Sequence, residues 1–292
     1  MKKTADRSEQ RSIADQAPVW SPYDRPTHVF RHAALALFAV FIALPLIGMV
    51  YFTFRSSTGG FTTDHWTTVF SPRGSEIWDS LGPGLYNSLI LVVCTVVIVY
   101  VLVIPAIILI DVRFPRIRRM MRVLMLFPIA VPAIILVVGF APIFSFLSRM
   151  VGPGSWTLSL AYGVLAMPFV YTTVESDLSG LHAGTLVQAA ESLGSRWSRT
   201  LVLVLVPCLR RSIVSATLMV CAIVLGEFTV ASLLNRETLQ TGLIVISQGD
   251  VYVSVIITLI VLVGTFAALF AVSGAGGRRT RVNSVKQPHA GR

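Results

Sequence analysis

Long runs of apolar residues, separated by short polar stretches, dominate the pattern along the chain. A helix needs about 20 mostly apolar residues to cross roughly 30 Å of hydrocarbon. Six runs have about this length: Ala33–Phe54, Ser88–Ile110, Val123–Phe146, Trp156–Val174, Ile213–Leu234 and Val251–Val272. The pattern therefore predicts an all-α, polytopic membrane bundle of about six transmembrane helices.

Prolines lie inside several of these apolar runs. They are Pro45, Pro105, Pro128, Pro132, Pro142 and Pro168. Membrane bundles tolerate such prolines because neighbouring helices and local changes of helix type satisfy the freed carbonyl groups. The prolines are thus compatible with spanning helices.

The two ends of the chain are polar. Residues 1–30 contain three prolines and no apolar stretch typical of a cleavable signal peptide, so we expect a flexible cytoplasmic tail. Residues 274–292 are small and basic, and we expect a disordered cytoplasmic tail there as well. Between the tails, residues 31–273 form the predicted transmembrane domain.

The distribution of positive charge predicts the orientation. Of the 24 lysines and arginines, 20 lie in the two tails, in the loop after the second run and in the loop between the fourth and fifth runs. Loops rich in lysine and arginine face the cytoplasm. Both termini are therefore predicted to be cytoplasmic, which agrees with six spans, whereas an odd number would place them on opposite sides.

Composition supports lipid as the solvent and argues against several functions. The chain is 54% hydrophobic and 13% charged, whereas a soluble domain is usually about 25% charged. The net charge of +10 lies in the topological clusters rather than in patches with stacking aromatics, so nucleic-acid binding is not expected. The three cysteines have no metal-binding spacing, and no metal or other cofactor is expected.

The loop between the fourth and fifth runs is too long for a simple connection. It is rich in helix-forming residues and predicts two short helices, Gly184–Leu193 and Arg196–Val206. Gly194 suits the turn between them. Pro207 is expected to end the second helix before the fifth span.

This loop also carries a specific spacing. Gln188-Ala189-Ala190 is followed after three residues by Gly194, and after nine more by Val204-x-Val206-Pro207. The stretch is similar to the EAA loop of the permease subunits of binding-protein-dependent ABC importers. In that family Glu-Ala-Ala is followed by three residues, glycine, nine residues and Ile-x-Leu-Pro. The spacing matches at every step, with Gln188 in place of the glutamate and valines in place of the isoleucine and leucine.

Two further segments extend the resemblance to about residues 30–272. The third run, LMLFPIAVPAIILVVGF, resembles the proline-rich third segment of the family. The run Gly226–Leu234 resembles the GEF segment of the subgroup that includes polyamine, ferric iron, sulfate and thiamine permeases. The resemblance implies the fold of a type I ABC importer permease in a bacterial inner membrane.

The resemblance also implies a site and partners. The ATPase-coupling loop would be residues 182–210, with contact residues Gln188, Ala189, Ala190, Gly194, Arg196, Arg199 and Pro207. The partners would be two ATP-binding subunits, a second permease subunit (identical or different) and an extracytoplasmic substrate-binding protein. A polyamine such as spermidine or putrescine is the first expected solute, with ferric iron, thiamine or a phosphonate as competitors.

No catalytic motif accompanies this pattern. A phosphate-binding loop needs a lysine after glycine, whereas the lysines are Lys2, Lys3 and Lys286, none of which follows one. We therefore expect ATP hydrolysis to belong to a separate subunit and the chain itself not to be an enzyme. Two alternatives stay open: an amphipathic helix lying on the lipid headgroups in place of the coupling loop, and a self-sufficient secondary transporter or channel.

Glu227 is the acidic residue predicted inside the fifth span. At 1.5 Å per residue it lies about 22 Å along that helix from Ser212. A carboxylate at such depth usually faces a cavity or a partner group. Glu227 is therefore either a lining residue of the translocation path or a hydrogen-bonding group that holds the next turn.

Overall fold

The computed structural model describes residues 28–56, 59–152 and 154–277. Within these ranges the secondary structure is helical, apart from one isolated antiparallel bridge between Arg55 and Phe61. The predicted tails fall almost entirely on residues 1–27 and 278–292, outside the described residues.

The chain divides into two units, residues 1–52 and 53–292. The described part of the first unit is almost all of helix α1 (His28–Thr53), which contains Pro45. Its side chains are apolar around the helix, as in Leu37 and Phe41, which are both exposed. A helix that is apolar all round is suited to lipid.

The second unit contains the other helices. They are α2 (Asp64–Phe70), α3 (Pro72–Ile98), α4 (Ile104–Arg113), α5 (Arg118–Ala130), α6 (Ala133–Val151), α7 (Ser159–Gly180), α8 (Ala183–Ser192), α9 (Trp197–Thr200), α10 (Val206–Cys208), α11 (Arg210–Gly226), α12 (Thr229–Leu233), α13 (Leu239–Gly249) and α14 (Val251–Gly277). Short 3₁₀ turns at Pro115–Ile117 and Ser155–Leu158 precede α5 and α7.

Five helical stretches in the described residues are long and apolar enough to cross a membrane. They are His32–Thr53, Ile77–Arg113, Ala133–Val151, Ser155–Gly180 and Val251–Ala268. A sixth span results if the bent pair Trp197–Cys208 and Arg210–Gly226, which meet at 77°, is counted as one. The prediction of an all-α polytopic membrane bundle is confirmed.

Two predicted spans are not continuous helices. The third breaks at Val131 and Pro132, both extended, and α6 begins only at Ala133. The residue before a proline is disfavoured in helical conformation, which explains this break. The fifth, predicted as Ile213–Leu234, ends at Gly226, and Glu227 is extended before α12 begins.

Two prolines each lie two residues after the end of a π-helical turn. The turn Val99–Val103 precedes Pro105, and the turn Leu201–Leu205 precedes Pro207. Proline lacks an N–H and its ring crowds the carbonyl group four residues earlier, and a local π turn relieves both problems. The helix that contains Pro207 ends one residue later, at Cys208, and the chain bends at Leu209 before the fifth span, which agrees with the predicted helix end to within a residue.

The buried residues in the described part of the chain form two apolar clusters. The larger is centred on α7, whose Tyr162, Ala166, Val170 and Val174 repeat every fourth residue and are fully buried. It also includes residues of α3 to α6, of α8, of the π turn Leu201–Leu205, and of α11 and α12, and Trp197 of α9 packs against it. This cluster attaches α8 and the π turn to the spans.

The smaller cluster joins α2, α3, α13 and α14. Next to it, α3 lies against the start of α13. The Ser88 Oγ accepts a hydrogen bond from the Leu239 N–H at 2.8 Å, and the Asn87 Nδ2 donates to the Glu237 carbonyl at 3.0 Å. Gly84 makes this approach feasible, because a Cβ there would lie 2.7 Å from the Thr238 carbonyl oxygen.

Candidate functional site

The segment between the fourth and fifth spans contains the two helices that the sequence predicts. The first, α8, turns Ala183 and Val187 inward, each 2% exposed. It ends in a glycine-dependent turn in which Gly194 has φ +80. The Ser195 N–H donates to the Ala190 carbonyl at 3.0 Å and the Gly194 N–H to the Glu191 carbonyl at 2.8 Å. This is the Schellman pattern, which closes a helix end firmly.

The second helical stretch consists of α9, the π turn and α10, and runs as one piece from Trp197 to Cys208. Its buried face is formed by Thr200 and Leu205. The Thr200 Oγ1 donates to the Ser195 Oγ at 3.0 Å. This bond ties the second stretch to the Gly194 turn. We call α8 to α10, Ala183–Cys208, the loop helices.

The predicted contact residues lie on the outside of the loop helices. Six of the seven are exposed: Gln188, Ala189, Gly194, Arg196, Arg199 and Pro207. Ala190 is half-buried. The structure thus places them on one segment whose two helices meet at the Gly194 turn.

Leu193 belongs to the same surface, although the sequence analysis gave it no role. It is 89% exposed, directly before Gly194. The sequence could have indicated this exposure, because Leu193 stands between the last helical residue, Ser192, and the turn glycine, and a residue at that position projects past the end of the helix. The segment therefore presents an apolar tip beside Arg196.

The loop helices are tied to the second span by an arginine. The Arg113 guanidinium, at the end of α4, forms an ion pair with Glu191 of α8. Its central carbon also lies 5.0 Å from the centre of the Trp197 ring of α9. Arg113 thus contacts both loop helices.

A second ionic cluster joins α4, α5 and α7. The Arg118 Nε lies 2.8 Å from the Asp111 Oδ1, and its Nη2 donates to the Ser179 Oγ at 2.8 Å. Arg122 pairs with Glu175. The hydrogen bond to Glu175 raises the pKa of the Arg122 guanidinium above its ordinary value. Asp111 and Glu175, to which the sequence gave no specific partner, are members of this cluster.

A groove of about 380 Å³ opens between the end of α7 and the start of α11. Its lining includes Thr173, Ser176, Asp177, Arg211, Ser212 and Ser215. The Ser212 hydroxyl donates to the Asp177 carboxylate across the groove. The sequence did not predict this groove, because its walls lie about 35 residues apart in the chain.

Glu227 caps a short helix. Its carboxylate accepts hydrogen bonds from the Thr229 N–H at 2.7 Å and the Val230 N–H at 3.0 Å. The Tyr162 hydroxyl donates to the same carboxylate at 3.0 Å. These contacts fit the interpretation of Glu227 as a hydrogen-bonding group that holds the next turn, since both carboxylate oxygens are engaged.

The remaining polar chemistry is sparse. Cys94, Cys208 and Cys221 are free thiols. In the part of the chain that the structure describes, no three His, Cys, Asp or Glu side chains lie close enough together to hold a metal ion.

Comparison with known protein families finds no family that matches this chain, and comparison with curated proteins finds no relative.

Proposed function

We propose that this chain is the membrane-spanning permease subunit of an ATP-driven importer, and that the loop helices dock on a separate ATPase. One observation carries the proposal. The residues that match the EAA spacing form two short helices around a fixed glycine turn, with nearly all of the matched contact residues exposed.

The surface chemistry of the loop helices supports docking. Ala189 and Gly194 are small and exposed, so a partner's backbone can approach closely. Leu193 adds an apolar side chain and Arg196 and Arg199 add charge at its edge. An apolar centre with charged residues at its edge is the usual anatomy of a protein–protein interface.

The attachment of the loop helices supports a mechanical role. They share the apolar cluster centred on α7 and hold an ion pair to α4. Closure of two ATPase subunits would push on the loop helices, and packed helices transmit such a push as rigid-body movement. The spans would then alternate between inward-open and outward-open arrangements in a bacterial inner membrane, with both termini cytoplasmic.

The remaining parts of the assembly follow from the same proposal. A second permease subunit completes the translocation path, and an extracytoplasmic binding protein delivers the solute. A polyamine is the first candidate solute, followed by ferric iron, thiamine and a phosphonate.

A secondary transporter or channel is the second candidate, favoured by the breaks at Pro132 and Glu227. Interrupted helices are common in such transporters. Uptake by the purified chain in vesicles that lack any ATPase would support this candidate and contradict the importer.

The proposal is tested by co-purification of an ATP-binding subunit from membranes. Ala189→Glu places a charge on the exposed docking surface, and we expect the ATPase to be lost. Gln248→Glu adds the same charge to α13, and we expect the ATPase to be retained. Equal recovery with both variants would contradict docking through this surface.

A further inference from the structure

We propose that Arg113 is a positioning residue that makes the loop helices and the second span move as one body. Arg113 is the last residue of α4 and so ends the span Ile77–Arg113. What moves the pair of elements depends on the proposed function; the attachment itself does not.

The contacts of Arg113 lie on both sides of the Gly194 turn. Glu191, its ion-pair partner, precedes the turn, and Trp197, whose ring it faces at 5.0 Å, follows it. A single guanidinium therefore fixes the arrangement of the two loop helices and ties both to α4. Arginine suits this position because its planar group can pair with a carboxylate and stack on a ring at the same time.

Apolar packing holds the other part of α8. Ala183 and Val187 are buried in the cluster that also contains Ile107 and Ile108 of α4. Toward Gly194 this packing ends, since Leu193 is 89% exposed. Arg113 therefore supplies a polar attachment at the C-terminal end of α8, where apolar packing does not hold the helix.

The exposure of the contact sets its strength. The side chains of Arg113 and Glu191 are 42% and 33% exposed, and an ion pair at such a place is weak by itself. The ring of Trp197 adds a cation–π contact of similar size. Removing both the ion pair and the cation–π contact lowers the ratio of attached to detached loop helices by about tenfold.

The same loop offers a matched control. Arg116 lies three residues after Arg113 in the 3₁₀ turn and is exposed, with no ion pair to the loop helices. Arg113→Ala and Arg116→Ala remove the same charge from the same loop. Only the first removes the contacts to Glu191 and Trp197.

The test measures the distance between spin labels in the full chain, reconstituted in lipid nanodiscs. One label is placed at Leu193→Cys and the other at Leu85→Cys, an exposed position on α3. The native Cys94, Cys208 and Cys221 are replaced by serine. We expect Arg113→Ala to broaden the distance distribution and Arg116→Ala to leave it as in the parent.

A charge exchange separates attachment from a general loss of folding. Arg113→Glu and Glu191→Arg each broaden the distribution, and the double variant narrows it again. An unchanged distribution in Arg113→Ala, or equal broadening in Arg116→Ala, would overturn the inference. If no ATPase co-purifies with the parent chain, the proposed function fails, whereas the distance measurement still decides the role of Arg113.

Discussion

Two glycines of the loop helices differ in backbone conformation, since Gly194 has a positive φ and Gly184 is helical. Gly194 has φ +80, a conformation that costs an L-residue about 1–2 kcal/mol. Gly184 lies inside α8, and a Cβ there meets nothing within 4 Å. We expect Gly194→Ala to lower the thermal midpoint and to weaken recovery of the ATPase.

The control for this prediction is Gly184→Ala. Gly184 is the second residue of α8, where alanine is a better helix former than glycine. Gly184→Ala should therefore leave the thermal midpoint equal or higher. A lower midpoint in both variants would show that φ at Gly194 is not what matters.

Glu227 offers a second test at the scale of a residue. The Glu227 carboxylate accepts hydrogen bonds from the Thr229 and Val230 N–H groups. A glutamine side chain at this position would keep one acceptor oxygen, whereas leucine would keep none. We expect the free energy of unfolding of Glu227→Gln to stay close to that of the parent, and that of Glu227→Leu to fall by about 1 kcal/mol. If Glu227→Gln folds normally and abolishes uptake of a cationic solute, the path-lining interpretation is the better one.

At the scale of elements, the approach of α3 to the start of α13 depends on Gly84. A Cβ at residue 84 would lie 2.7 Å from the Thr238 carbonyl oxygen, a backbone atom that cannot turn away. We expect Gly84→Ala to lower stability by about 1–3 kcal/mol, as overpacking usually does. Gly82→Ala, two residues earlier with nothing within 4 Å, should have no such effect. Urea unfolding followed by tryptophan fluorescence compares the two variants.

The sequence predicts elements best where local signals suffice. Apolar runs show the spans, and the helix-forming residues around Gly194 show the loop helices. Breaks inside spans are not predicted by such local signals. An acidic residue in an apolar run, such as Glu227, can lie inside a continuous helix or can accept hydrogen bonds at the start of the next one, and the sequence does not distinguish the two. The partner of Glu227, Tyr162, lies 65 residues away. The contacts of Arg113 with Glu191 and Trp197 also join residues that are far apart in the chain. From the sequence, the positive charge after the second span therefore predicts only the orientation of the protein in the membrane.

The whole molecule has an orientation that charge alone predicts. A cysteine introduced at Leu193 should react with an impermeant maleimide only from the cytoplasmic side. A cysteine at Gln248, exposed on α13, should react only from the other side. Labelling of both from the same side would contradict the predicted topology of two cytoplasmic termini.

The central claim is that the loop helices meet a soluble ATPase, and crosslinking from Leu193 tests it most directly. A photoreactive benzoylphenylalanine at residue 193 is compared with one at Val245, which is 67% exposed on α13. We predict an adduct with an ATP-binding subunit from residue 193 and none from residue 245. Adducts with lipid alone from residue 193, or the same ATPase adduct from both positions, would contradict the account.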